Sequence, residues 1–174
     1  MNAGRAAAET LLRRTDESLR AALESAFDAP PTLVVPTSPW LNRRSPVWSG
    51  RARLGSMILV RRSGYHVDGV EVSRHLAAID ARGVPEPHRT TLATPEGDLG
   101  ESIAALGWVR DGFVFDDGTD DATVLRALTA SAHDPFRPLS WRRYEVRDRD
   151  RLVAVVLEAI TWNAWRGKGQ ASHG

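Results

Sequence analysis

"MILVRRSGYHVDGVEV", residues 57–72, sets β-forming residues around two short turn signals, Ser63-Gly64 and Asp68-Gly69. Runs of β-formers bounded by such pairs read as strands, and X-Gly pairs supply the positive φ angles that two-residue hairpin turns require. The stretch therefore predicts one or two β-hairpins. It decides the fold class, because the segments on either side carry helical signals: antiparallel hairpins interleaved with helices make an α+β domain rather than a parallel βαβ array.

Working towards the N-terminus, Leu12, Leu19, Leu23 and Ala26 recur at helical spacing and Pro30-Pro31 end the pattern, which predicts a helix over 6–27. "TLVV" at 32–35 reads as a short strand, followed by a Pro-bearing loop up to Gly50. Working towards the C-terminus, Ser73 offers an N-cap for a helix to residue 81, and "TTLAT" is a strand candidate. Thr94-Pro95-Glu96 opens a helix that ends at Gly107, and "WVRDGFVF" reads as a hairpin turning at Asp111-Gly112. Asp120 or Asp121 caps a further helix to about residue 132, a strand covers 141–146, and a last helix covers 149–165. The expectation is one α+β domain over residues 1–166, with a mixed or antiparallel sheet and hairpins packed against about five helices, and a mobile tail over 167–174.

The length of 174 residues suits a single core, and with 42% hydrophobic and 26% charged residues the chain has the composition of a folded globular protein. No apolar run reaches the roughly 18 residues of a membrane span, so no membrane partner is expected. The absence of cysteine excludes disulfides and thiolate metal sites, zinc fingers included, and fits a cytoplasmic location.

Charge is polarised along the chain, although the net charge is only +1. No acid stands between Asp28 and Asp68, where six arginines lie, whereas residues 96–121 hold eight acids against Arg110. Guanidinium forks and indole faces grip phosphates and stack on bases, so Trp40, Arg43, Arg44, Trp48, Arg51 and Arg53 are candidates for contact with nucleic acid or with an acidic protein surface. The opposing reading is a loop anchored by Trp40 and Trp48, its arginines paired with the acids of "DDGTDD". In a strand, Arg61 and Arg62 point to opposite faces. A near-zero net charge argues against a general nucleic-acid binder.

Asp116, Asp117, Asp120 and Asp121 could gather a hard cation, which would make a metal-dependent hydrolase the alternative function. Turn formation and helix capping account for the same residues, so neither metal nor cofactor is expected. The early element order resembles the core of the restriction-type nuclease fold. Yet residues 29–67 hold no acid, and Glu71 is followed by Val72 and Ser73 without the lysine such a site needs. No histidines stand at i, i+4, and no nucleophile elbow or phosphate-binding glycine loop occurs. A non-catalytic binding protein is therefore the leading reading. The last segment, "RLVAVVLEAITWNAWRGK", is apolar on most sides, and Trp162, Trp165 and Arg166 are its candidates for a homodimer or assembly interface.

Overall fold

The computed structural model describes residues 3–116, 122–129, 134 and 136–161. Two helices, α1 (Ala3–Leu12) and α2 (Leu19–Phe27), precede the short strands β1 (Thr32–Val34) and β2 (Trp40–Asn42) and a 3-10 turn at Val47–Ser49. Long strands β3 (Ile58–Val67) and β4 (Val70–Asp80) follow, then α3 (His88–Leu92), α4 (Leu99–Leu106), β5 (Val109–Phe115) and α5 (Ala122–Leu128). The strands β6 (Pro138–Asp148) and β7 (Arg151–Thr161) complete a single α+β domain.

All seven strands form one antiparallel sheet in the order β1-β3-β4-β7-β6-β5, with β2 also pairing with β3 beyond the end of β1. The opening stretch makes one hairpin, not two. Asp68 and Gly69 both have positive φ, 51° and 76°, the geometry of the two-residue turn whose twist matches the flanking strands. Ser63-Gly64 stays within β3. A Cβ on Gly64 would stand 2.6 Å from the Ser73 carbonyl oxygen, so this glycine serves the close approach of β4 rather than a turn.

Several expected elements change type. The segment 73–80 is part of β4 and the segment from Arg151 is β7, within stretches expected as helices over 73–81 and 149–165. These strands are neighbours in the middle of the sheet and are covered on both faces, so their residues lack a polar stripe. An apolar run such as 152–161 reads equally as a core helix, and in β7 the β-branched Val153, Val155, Val156 and Ile160 favour strand. "TTLAT" is helical at its start instead of extended, since α3 includes Leu92. Asp111-Gly112 is a bulge inside β5 instead of a hairpin turn: the register with β6 shifts there and Gly112 has φ 59°. The long N-terminal helix is broken, with Ser18 capping α2 by accepting from the Ala21 N–H. The tail 167–174, and Trp162, Trp165 and Arg166 of the expected interface, lie outside the described residues.

One face of the sheet carries Leu59, Ala77, Ile79, Val146 and Val156 under α3 and α4, and the other carries Val60, Leu76, Ala78, Val155 and Leu157 under α5 and Trp48. A third cluster seats α1 and α2 against Tyr65, Val72 and Ile160 at one end. The described residues contain no helix long and apolar enough to cross a membrane.

Into this apolar frame the sequence places one deep ion pair. Arg142 on β6, 1% exposed, donates through Nε to Glu158 Oε2 on β7 at 2.7 Å. Its Nη1 donates to the carbonyls of Leu12 at 2.7 Å and Arg14 at 3.1 Å. These are orphan carbonyls at the C-terminus of α1, where a cation also meets the favourable end of the helix dipole. Leaving one member of such a pair buried alone costs about 3–5 kcal/mol, whereas replacing both by apolar groups can be nearly neutral. Glu158→Leu is therefore expected to destabilise the protein by about that amount in urea unfolding, and Glu158→Leu with Arg142→Met to recover part of it, since the Leu12 and Arg14 carbonyls and the Tyr144 hydroxyl then lose their partners. Additive losses in the double variant would show that the two groups act separately.

Candidate functional site

The face of the sheet beneath α2 and α4 carries a polar row that crosses four strands. The registers Ser63↔His75, His75↔Glu158 and Arg142↔Glu158 set these four residues side by side from β3 to β6. Because side chains alternate along a strand, all four point to the same face. Above them lies a cavity of ≈ 50 Å³, roofed by Ser18 and Leu19 at the start of α2 and by Asp98 and Leu99 at the start of α4.

Most groups around this cavity are committed to the fold. Glu158 Oε1 accepts from the Tyr144 hydroxyl at 2.8 Å, so both carboxylate oxygens are occupied. Burial raises the Glu158 pKa, but the Arg142 and His75 charges and the hydrogen bonds from Arg142 and Tyr144 outweigh it and hold the carboxylate below its ordinary range. Burial pushes the Tyr144 hydroxyl well up, so it remains a donor. Asp98 caps α4, accepting from the Gly100 N–H at 2.6 Å and from the Tyr65 hydroxyl at 3.4 Å.

Arg61, on the same face, is 2% exposed and forms no ion pair among the described residues. Its Nη1 donates to the carbonyls of Leu92 at 3.0 Å and Thr94 at 2.5 Å, and its Nη2 to those of Pro95 at 3.1 Å and Gly97. This guanidinium is a clamp that shapes the loop from α3 into α4 and so aims Asp98 at the cavity. Arg110 differs. It enters the cavity from β5, and its Nε is buried without a hydrogen-bond partner among the described residues. A buried donor in that state demands an acceptor.

His75 is the titratable centre of the row. Its Nε2 lies 2.8 Å from Ser73 Oγ and its Nδ1 3.4 Å from Ser63 Oγ. Burial, the largest influence, lowers its pKa below the ordinary 6.5, assisted by Arg142 and opposed by Glu158 and Asp98. The unfolded chain thus binds a proton at pH values where the folded chain does not. Stability carried by neutral His75 is present above pH 6.5 and is lost as the pH falls below it. The Glu158 contribution is lost only lower, through the carboxylate range near 4.5. Chemical denaturation between pH 7.5 and pH 5 should show a fall in stability that is flattened in His75→Gln. An unchanged slope in the variant would remove His75 from the account.

The residues singled out by the Arg and Trp pattern lie elsewhere. Trp48 is 8% exposed in the core, while Trp40 on β2 is 43% exposed. Arg43, Arg44, Arg51 and Arg53 are all exposed, and none forms an ion pair among the described residues. Arg43 shares a shallow groove with Arg82, Leu41 and Met57. Asp117, Asp120 and Asp121 lie outside the described residues, while Asp116 meets Arg5 at 3.3 Å. The described residues contain no group of three or more His, Asp or Glu able to hold a metal ion.

The polar row was not singled out from sequence. A signal for it exists: Glu158 is the lone charge in the apolar run 152–161, and a charge there needs a partner within the core.

No family model and no curated protein matches the sequence. Solved structures share its fold. PhnF from Mycobacterium smegmatis superposes with a TM-score of 0.57 at 18% identity, over 85% of this chain and 65% of that one. The effector domain of the same protein gives 0.54 at 18%, over 83% of this chain and 88% of that one. The C-terminal domain of the histidine utilization repressor from Pseudomonas syringae pv. tomato str. DC3000 gives 0.52 at 12%, over 78% of this chain and 94% of that one. The chain thus spans just under two thirds of the PhnF chain and most of each isolated domain. At these identities the likeness is one of fold.

Proposed function

We propose that this chain is a ligand-sensing effector domain of a transcriptional regulator, and that its ligand brings an anionic group to Arg110. The observation that carries the reading is the buried Arg110 Nε, without a partner among the described residues, set on the same face as Arg142 and Arg61, which meet three and four acceptors. The shared fold with an effector domain and with a repressor's C-terminal domain supports the class and leaves the ligand open. A cavity of ≈ 50 Å³ holds little more than a water molecule or two, so the ligand enters as the starts of α2 and α4 move apart. A ligand preferring that opened state shifts the population towards it, which is how a small molecule would be reported to the rest of a regulator. Work of this kind is cytoplasmic.

Thermal melts with inorganic phosphate, glycerol phosphate and succinate test the reading. A ligand bound only by the folded state adds about 2.7 kcal/mol at a hundredfold excess over Kd. Arg110→Met is expected to abolish the rise without lowering the melting temperature of the protein alone. No rise with any of the three, or a rise kept in the variant, overturns it.

A second reading rests on a separate observation, four exposed arginines that form no ion pair among the described residues, in the same stretch of chain as the exposed Trp40. We propose that Arg43, Arg44, Arg51 and Arg53 meet nucleic-acid phosphates or an acidic protein surface, with Trp40 as the stacking group. Binding of a labelled DNA duplex should then weaken linearly in log–log terms with salt, by about 0.9 per phosphate contact. Arg43→Gln and Arg44→Gln should each lessen the slope by about 1. Absence of binding at low salt refutes the nucleic-acid form of this reading.

A further inference from the structure

On the other face of β3, Arg62 points away from the polar row into a second cavity of ≈ 290 Å³. Its apolar wall is Val34 and Pro36 from β1 and the loop that follows, and its floor is Gly64, where no side chain intrudes. This volume approaches that of ordinary small-molecule pockets.

The charged groups here divide into a closed set and an open one. Arg74 is saturated: Nε and Nη2 grip Glu71 at 2.8 and 2.9 Å, and Nη1 reaches Asp134 at 2.5 Å and the Leu128 carbonyl at 3.0 Å. Its guanidinium also lies 4.1 Å over the Phe136 ring. Among the described residues Arg62 spends only Nη2, on the Ala127 carbonyl at 3.1 Å near the end of α5. Its Nε is buried with no acceptor among the described residues. Burial lowers the Arg62 pKa, and the like charge of Arg74 adds to the effect, so this cation lies in a setting that rewards a neutralising partner.

We infer that this cavity is a second ligand site, for a small organic monocarboxylate whose carboxylate takes the free edge of Arg62 and whose apolar body lies against Val34 and Pro36. The planar fork of Arg62 matches a carboxylate. Glu71 and Asp134 stand around the same cavity and repel a second negative charge, which selects a monoanion over a phosphate dianion. The inference is independent of the Arg110 reading, because the two arginines serve cavities on opposite faces.

The test is titration of the isotope-labelled full chain with sodium benzoate, hexanoate, inorganic phosphate and uncharged benzamide, read by nuclear magnetic resonance. Benzoate or hexanoate should shift the Arg62 Nε–H signal and the amides of Val34 and Gly64 in the wild-type protein. Phosphate and benzamide should leave them in place at the same concentration. Arg62→Gln is expected to weaken carboxylate binding at least tenfold, and Val34→Phe, which fills the cavity and keeps Arg62, to do the same. Arg110→Met should leave it unchanged, which separates this site from the other. The inference fails if neither carboxylate shifts these signals, if phosphate or benzamide binds as well, or if a folded Val34→Phe protein binds undiminished.

Discussion

The ion pair between Arg142 and Glu158 is the contact on which the arrangement of the rest depends. It lies between two central strands in surroundings where an unpaired charge is not tolerated, so each residue fixes the rotamer of the other. From that anchor three consequences run outward. The Leu12 and Arg14 carbonyls hold the end of α1 to the sheet, the Tyr144 hydroxyl is aimed at Glu158, and His75 lies in a field where Glu158 and Asp98 act against burial and Arg142 with it. Burial then decides that His75 is neutral. The polar row is thus first a structural device: Arg142, Glu158 and Tyr144 satisfy one another within the fold.

Arg61 and Arg62 show how one residue type takes two roles on adjacent positions. Alternation sends them to opposite faces, and the number of acceptors each finds there settles the matter. Arg61 meets four backbone carbonyls and becomes part of the loop before α4; among the described residues Arg62 meets one and keeps a buried donor free. The same count separates Arg142 from Arg110. Arginine content alone distinguishes none of these cases.

What the sequence made legible follows the same logic. The Asp68-Gly69 turn, the Gly107 end of α4 and strands β1 and β6 are set by local chemistry, namely positive φ, capping and proline, and were readable. Strands β4 and β7 were misread because burial on both faces erases the alternation that marks a strand, and Ser73, which resembles a helix cap, instead donates to or accepts from His75. The opposite facing of Arg61 and Arg62 was legible from period two. That Arg61 would find carbonyls more than thirty residues away was not, since it depends on where α3 and α4 settle. The arginine and tryptophan pattern was visible, but whether an indole is core or surface is a tertiary fact, and it separates Trp48 from Trp40.

On the effector reading, the helices at the N-terminal end are where a ligand's presence would register. The cavity above the row is closed by the first residues of α2 and α4, and α1 is held by Arg142, a neighbour of the same row. A ligand at Arg110 can move an equilibrium only by contacts that differ between two states. Asp98 is held by its cap and by the Arg61-shaped loop, whereas α2 begins with a single serine cap and the segment joining it to α1 has no regular structure. The softer side is therefore α2. Displacement of its start would pull on the Leu12 and Arg14 carbonyls, and through them on the buried guanidinium, so the pair that stabilises the fold is also the point at which α1 would feel the ligand.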